Sequence, residues 1–276
     1  PQPRGSGDPQ PFARAIREDK VRRGLLFLGT ETGIYVSFDD GAHWQSLRLD
    51  LPVTPVHGIQ VKDNDLVIGT HGRSFYILDN ISVLRQVTPS MTDEPLVLFD
   101  PADAVRSVSR GVFVDYYLKD PAETVTIEFL DSSGKVIRRF EGAPKPQADR
   151  PAAETPAGGR GGAPARVTTA KGMNRFTWDM RYPNAVEFPG LIFWAASTRG
   201  PIAPPGRYQV RVTANGVTKT QDFEIKRNTA VPGVTDADLH EQFALAMRIN
   251  ERVSDANRAV IRIREIKDSI SKRIGQ

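Results

Sequence analysis

The chain has 276 residues, 39% hydrophobic and 25% charged, which gives enough apolar material for one large core or two ordinary ones. Its formal charge is +4, but 37 basic residues are interspersed with 33 acidic ones, the mixture of a solvated surface and not a nucleic-acid footprint. The absence of cysteine excludes disulfides, thiolate metal sites and a cysteine nucleophile, and no apolar run approaches the roughly 18 residues of a membrane span.

Residues 1–11, rich in Pro and Gly, read as an irregular lead-in. From residue 12 come four short strand-like runs, at 12–19, 25–29, 33–38 and 44–48, separated by turn residues. A second copy follows at 57–62, 65–70, 74–78 and 83–88, and LLFLGTETGIYVSFDDG aligns with DLVIGTHGRSFYILDN. The period is about 40 residues, the length of one four-stranded propeller blade. Residues 12–90 are therefore expected to be two terminal blades of a β-propeller. Two blades cannot bury their flanks alone, so further blades are expected upstream. The first residue is proline and no basic-then-apolar leader follows it, which fits a fragment of a longer exported protein.

After Pro95 the pattern changes to longer alternating strands, and 95–227 is expected to be an immunoglobulin-like β-sandwich. Val125, Ile127 and Phe129 share one face, 131–134 (DSSG) forms a hairpin turn, and Asn215-Gly216 forms another. Within it, 142–165 is dominated by Pro, Ala, Gly and Arg and has almost nothing to bury, so a disordered insertion is expected. Residues 235–276 read as an amphipathic helix. Thr235 is a good N-cap, Asp236 and Asp238 suit the first turn, and no internal Gly or Pro interrupts the body up to Ile274. Apolar residues from Leu239 through Ile249, Ile263, Ile266 and Ile270 to Ile274 recur at three- and four-residue spacing. Such a stripe needs a partner: the sandwich, a downstream helix, or a second chain through self-association.

Ser37, Asp39, Gly41 and Trp44 fall in the run SFDDGAHW, which looks like an Asp-box, S/T-x-D-x-G-x-T-W, with His43 standing where Thr is usual. Asp and Ser side chains accept N–H bonds inside a tight turn, Gly41 supplies the backbone angle, and Trp44 anchors the hairpin. With THGRSFYILDNI, GMNRFTWDMRYP and PPGRYQVRVTANGVTKTQDFEI, this box resembles the C-terminal part of bacterial exported YVTN/BNR-like, sortilin-like propeller proteins, often labelled "glycosyl hydrolase, BNR repeat". The part after the propeller is similar to the flagellar hook-capping type of immunoglobulin-like module. The resemblance implies a periplasmic, surface or secreted protein, mainly β, with two last blades, a sandwich and a long C-terminal α-helix. It also implies that the four Asp-box residues are structural, on the outer rim of a blade.

The most site-like local feature is His71-Gly72-Arg73, a sharp loop that presents cationic groups to a carboxylate or sugar, or to an acidic residue of a neighbouring blade. Trp194, with Phe188 and Phe193, forms an aromatic platform for sugars or a partner surface, plugs one end of the sandwich, or packs against the propeller. The four histidines, His43, His57, His71 and His240, show no metal-ligand spacing, and no catalytic constellation, metal site or cofactor motif stands out. Asp63, Asp65 and Asp79 read as loop caps. The function expected is therefore non-catalytic recognition of a carbohydrate or protein on a propeller face. The alternative is a sialidase-like glycoside hydrolase whose acid groups lie on upstream blades.

Overall fold

The computed structural model describes residues 12–107, 111–143, 166–194 and 196–274; the expectations for 1–11, for most of the 142–165 insertion and for the last two residues of the helix lie outside them. The chain is mainly β with one C-terminal helix, and it divides into two compact units, Pro1–Met91 and Thr92–Gln276.

The first unit holds two antiparallel meanders. Strands β1 (Ala13–Glu18), β2 (Leu26–Thr30), β3 (Gly33–Ser37) and β4 (Gln45–Ser46) form one sheet in sequence order, and β5 (Val56–Lys62), β6 (Asp65–Thr70) and β7 (Phe75–Leu78) form the other. They share a core of Phe27, Ile34 and Val36 from the first sheet with Val56, Ile59 and Leu66 from the second. Alternation sets which side chains enter it, since successive residues of a strand point to opposite faces. The sheets meet closely at Gly29, where a Cβ would lie 2.6 Å from the carbonyl oxygen of Val56. Any larger residue there forces the sheets apart.

The second meander does not complete a fourth strand. Residues 83–88, expected to be one, instead follow a 3-10 turn, Ser82–Arg85. Asn80 takes a positive φ of 55°, its N–H bonds the Asp65 carboxylate, and its own side chain accepts from the N–H of Ser82. Ile81, buried, donates its N–H to the Asn64 carbonyl, which pulls the chain back onto the β5–β6 turn. An Asx turn thus captures the backbone groups that a strand would have offered to β7. Arg85 then reaches Asp19 through Nε and Nη2 at 2.9–3.1 Å, and Asn64 Oδ1 at 2.6 Å.

The second unit is built from two sheets around a single core. One has the order β13–β10–β8, formed by β8 (Leu96–Leu98), β10 (Val112–Leu118) and β13 (Gly172–Trp178). The other has the order β12–β11–β14–β15–β9, formed by β9 (Ala104–Val105), β11 (Val125–Asp131), β12 (Val136–Gly142), β14 (Gly206–Ala214) and β15 (Val217–Lys226). All pairings are antiparallel except the short β15–β9 contact. Asn215 and Gly216 both have positive φ, as a two-residue hairpin with the native twist demands. Asp131 closes the other hairpin by accepting from the N–H groups of Ser133 and Lys135.

Trp178, fully buried, stacks on Phe129 of the opposite sheet at 4.3 Å and donates its indole N–H to the carbonyl of Arg181. Strand β13, which carries it, is not evident from periodicity alone. Tyr208 is buried too, its hydroxyl donating to Pro204 O, and burial pushes its pKa well above the ordinary range.

The helix α1 (Asp236–Ile274) packs on this unit in an unexpected way. Leu239, Phe243 and Ala246 are half-buried, and Phe243 meets the Tyr182 ring at 4.7 Å. Beyond them the buried helix residues are Ser254 and Asn257, while Ile249, Ile263, Ile266 and Ile270 stay exposed. The polar face bonds an irregular extended segment. The Val186 N–H donates to Ser254 Oγ at 3.1 Å, Asn257 Nδ2 donates to Val186 O at 2.6 Å, and Arg264 donates to Pro189 O at 2.8 Å. That segment pairs Val186 with no strand, so buried amide and hydroxyl groups are the appropriate partners.

Candidate functional site

The sequence singles out two places in the first unit, and they have different characters. The Asp-box closes the β3–β4 hairpin as a turn whose Ser and Asp side chains are bonded within it, while the buried indole N–H of Trp44 has no partner among the described residues. Ser37 Oγ donates to Asp39 Oδ1 at 2.9 Å and accepts from the Gly41 N–H at 2.9 Å. Asp39 Oδ1 accepts the His43 N–H at 2.8 Å, and Oδ2 lies 2.6 Å from His43 Nδ1. Asp40 and Gly41 both take positive φ, and Gly41 rests over the half-buried Trp44 ring, 3.5 Å from the position its Cβ would occupy. His43, in the place of the usual Thr, thus supplies a side-chain partner for the carboxylate.

These bonds set the ionisation of Asp39. The His43 N–H first, then the His43 ring and Ser37, hold its carboxyl down at about 2 from an ordinary 3.8. A folded pKa below the unfolded one means that the turn's contribution is present above the unfolded value and is lost as pH falls toward about 2. A carboxyl-detected NMR titration of the full chain is expected to place the Asp39 midpoint near 2. His43→Ala should raise it, because only the backbone and Ser37 bonds remain. An unchanged midpoint would contradict that account. With both oxygens committed to the turn, Asp39 is not placed as an acid catalyst.

The second place is the loop between β6 and β7. Thr70 closes it by donating both N–H and Oγ1 to Ser74 O, at 3.1 and 2.7 Å. Gly72 and Ser74 take positive φ of 78° and 66°. The β5–β6 register pairs Val56 with Thr70 and Gly58 with Gly69, leaving His57 in an irregularity of the ladder from which its ring reaches His71. Their rings stack at 5.2 Å with planes 7° apart. The His71 backbone is fixed by its N–H bond to Pro55 O. Arg73 is exposed, and among the described residues it has no ion pair or hydrogen bond. His71, expected as a site residue, therefore stacks on a third residue, His57, that the sequence alone did not connect to it, and Arg73, the other, lies two residues further along the same loop. An exposed guanidinium on this loop can hold a carboxylate by a forked pair of bonds, and the stacked imidazoles offer a flat face to a ring.

Asp63 and Asp65 lie at the opposite end of the β5–β6 ladder and are engaged there, Asp63 with Lys62 at 2.9 Å and Asp65 with the Asn80 N–H. Among the described residues, no group of three or more His, Asp or Glu could hold a metal. No helix is long and apolar enough to cross a membrane.

Trp194 belongs to the second unit and is 90% exposed, so it does not plug that unit's core. Phe188 is covered by the Arg264 guanidinium at 4.5 Å. A shallow cleft of about 450 Å³ lies on the outer face of β14 and β15, lined by Asp103, Arg207, Gln209, Asp222 and Glu224. Its acids are mostly engaged: Asp103 with Lys226 at 2.6 Å, and Asp222 with Gln209 at 2.8 Å.

No protein-family model matches the chain, and no curated protein does either. Among solved structures, the chain is similar to CopC from Methylosinus trichosporium OB3b at 16% identity, over 49% of this chain and 98% of that one, with a TM-score of 0.25. A likeness that slight carries no argument about function.

Proposed function

We propose that this chain is part of an exported, non-catalytic binding or scaffolding protein that recognises a carboxylate-bearing ligand, an acidic sugar or a peptide carboxylate, at the β6–β7 loop. In this reading the two meanders are the last two blades of a YVTN/BNR-like propeller, and the two-sheet unit is an immunoglobulin-like module. The blade reading is supported by the repeated strand order and by the packing of β5 against β1 and β2. It is supported also by the exposed Ile16 on β1 and Phe75 and Ile77 on β7, apolar flanks of the kind that further blades would cover. The module reading is supported by two mostly antiparallel sheets closed around Trp178 and Phe129.

The observation that carries the functional reading is Arg73, exposed and without an acidic partner among the described residues, on the loop whose His71 ring stacks on His57. Recognition is favoured over hydrolysis because the segments that the β5–β6 pairing brings together here, residues 54–57 and 70–75, carry no carboxylate. The test is a screen of the full chain on an array of neutral, sialylated and uronate-bearing glycans, run beside chromogenic glycosides. Saturable binding confined to the acidic glycans, without turnover, is the expected result. Turnover would overturn the non-catalytic reading, and binding indifferent to the carboxylate would overturn the ligand class.

A further inference from the structure

We propose that α1 pairs with the α1 of a second copy of this chain, antiparallel, through the apolar stripe its own unit leaves uncovered. Leu245, Ile249, Ile263, Ile266 and Ile270 are each at least half exposed. Spacings of four and three link them through Arg252, Ala256 and Ala259 into one unbroken seam from 245 to 270. This is the a/d pattern of a two-stranded coil, about 38 Å long at 1.5 Å per residue. The contacts with the protomer fall elsewhere on the helix. Asn250, Ser254, Asn257 and Arg264 occupy the b and f positions of the same heptads, which such a coil turns outward. Their face lies about 140° around the axis from the seam, so one helix can serve its own loop and a partner helix together.

Charge selects the orientation and the register. In a parallel, in-register pair, Arg252 would sit in the seam against its own copy, and Arg262 would face Lys267 across the flank. An antiparallel pair centred on Ala256 and Ala259 avoids both clashes. Ile249 then meets Ile266 of the other copy, Ile270 meets Leu245, and Arg252 lies against Ile263 with its guanidinium turned back onto Asp255 of its own helix at 3.3 Å. On one flank Asp255, which also holds Arg252 and Arg258 of its own helix at 3.3 and 3.0 Å, faces Arg262 of the other copy, twice by symmetry, and Arg262 has no ion pair of its own among the described residues. On the other flank Val253 faces Val260. A slip of one heptad in one direction sets Asp255 against Asp255, and in the other sets Arg262 against Arg262. Like charges directly opposed are penalised, so this register alone is complementary. Two alanines at the centre let the helices approach closely where Ser254 and Asn257 are held against the loop.

The test is sedimentation equilibrium of the full chain from about 1 to 100 µM, a range suited to an association of micromolar strength. The expected result is a mass twice the 30.5 kDa of the chain at the upper end. Ile263→Asp with Ile266→Asp should raise the dissociation constant about a hundredfold or more, since four apolar side chains per dimer lose their burial. Circular dichroism should stay unchanged, because both positions are exposed in the protomer. Arg262→Asp or Asp255→Arg alone should weaken the dimer, and the two combined should restore it. Because the chain has no cysteine, Ile249→Cys mixed with Ile266→Cys should cross-link as a heterodimer, while Ile249→Cys alone should not link to itself. A monomer throughout, a dimer indifferent to Ile263 and Ile266, or self-linked Ile249→Cys would each overturn the proposal.

Discussion

Trp178→Ala is expected to cost the second unit about 3–5 kcal/mol, the usual price of removing a large buried ring. The indole, carried by β13, has no exposed surface and packs on the opposite five-stranded sheet: Phe129 stacks on it at 4.3 Å, and Tyr208 and Phe223 approach it edge-on at 6.3 Å. Its removal also leaves the Arg181 carbonyl without its indole donor. Both the cavity and the lost hydrogen bond act in one direction, and little nearby can collapse into the space, since each neighbour is itself anchored on a strand. Trp178→Phe keeps much of the area but not the N–H, and should cost less than half as much. Urea unfolding of the full chain, with exchange of the β10 and β14 amides as the readout, separates this unit from the first. Equal losses for the two variants would mean that the hydrogen bond, not the packing, dominates.

Arg85→Ala is expected to be comparably severe in the first unit, about 3–5 kcal/mol, because it strands a buried carboxylate. The Asp19 side chain is inaccessible to solvent and that of Arg85 nearly so. Burial by itself raises the Asp19 carboxyl, but Arg85, together with the N–H groups of Arg22 and Val21, more than offsets it and holds the pKa below the ordinary value. The sign follows: the stabilisation is complete above the unfolded pKa and disappears as pH falls through the depressed folded one. The native first unit should therefore lose stability in acid, below the ordinary carboxylate range. Arg85→Ala should flatten that dependence while lowering the plateau at neutral pH. Exchange of the β2 and β5 amides between pH 7 and 2 would register both effects. A variant that keeps the full acid dependence would show that Arg85 is not what depresses Asp19. The pair links the 3-10 turn after β7 with the end of β1, a join that Arg22 also bridges through the carbonyls of Leu84 and Val87, so its loss loosens the seam between two meanders that still share a core.

Much of this architecture is legible in the residues. The repeat of LLFLGTETGIYVSFDDG in DLVIGTHGRSFYILDN marks β2, β3, β6 and β7, and Asn215-Gly216 marks the β14–β15 hairpin by its tolerance of positive φ. The Asp-box bonds follow from which side chains can accept an N–H within four residues. What the sequence hides is decided by distant backbone. Residues 83–88 have strand composition, yet Asn80 captures Ser82 first. Strand β13 escapes notice because a buried Asn174 breaks its apolar alternation; Asn174 is satisfied by the carbonyls of Ala170 and Gly172. On α1 the apolar stripe suggests the packed face, but the helix meets an irregular segment whose backbone needs polar partners, so Ser254 and Asn257 are buried instead. Likewise His71 and Arg73 are visible as a local loop, whereas His57 reaches His71 only through the β5–β6 pairing.

The most direct measurement is a calorimetric titration of the full chain with a sialyl-terminated oligosaccharide and a glucuronate-terminated one, each against its neutral counterpart, for the native protein and for Arg73→Ala. The account predicts binding to the acidic sugars alone, weakened about tenfold or more in Arg73→Ala, where a forked charge-assisted pair is lost. Equal binding by the two proteins, or equal affinity for acidic and neutral sugars, would contradict it.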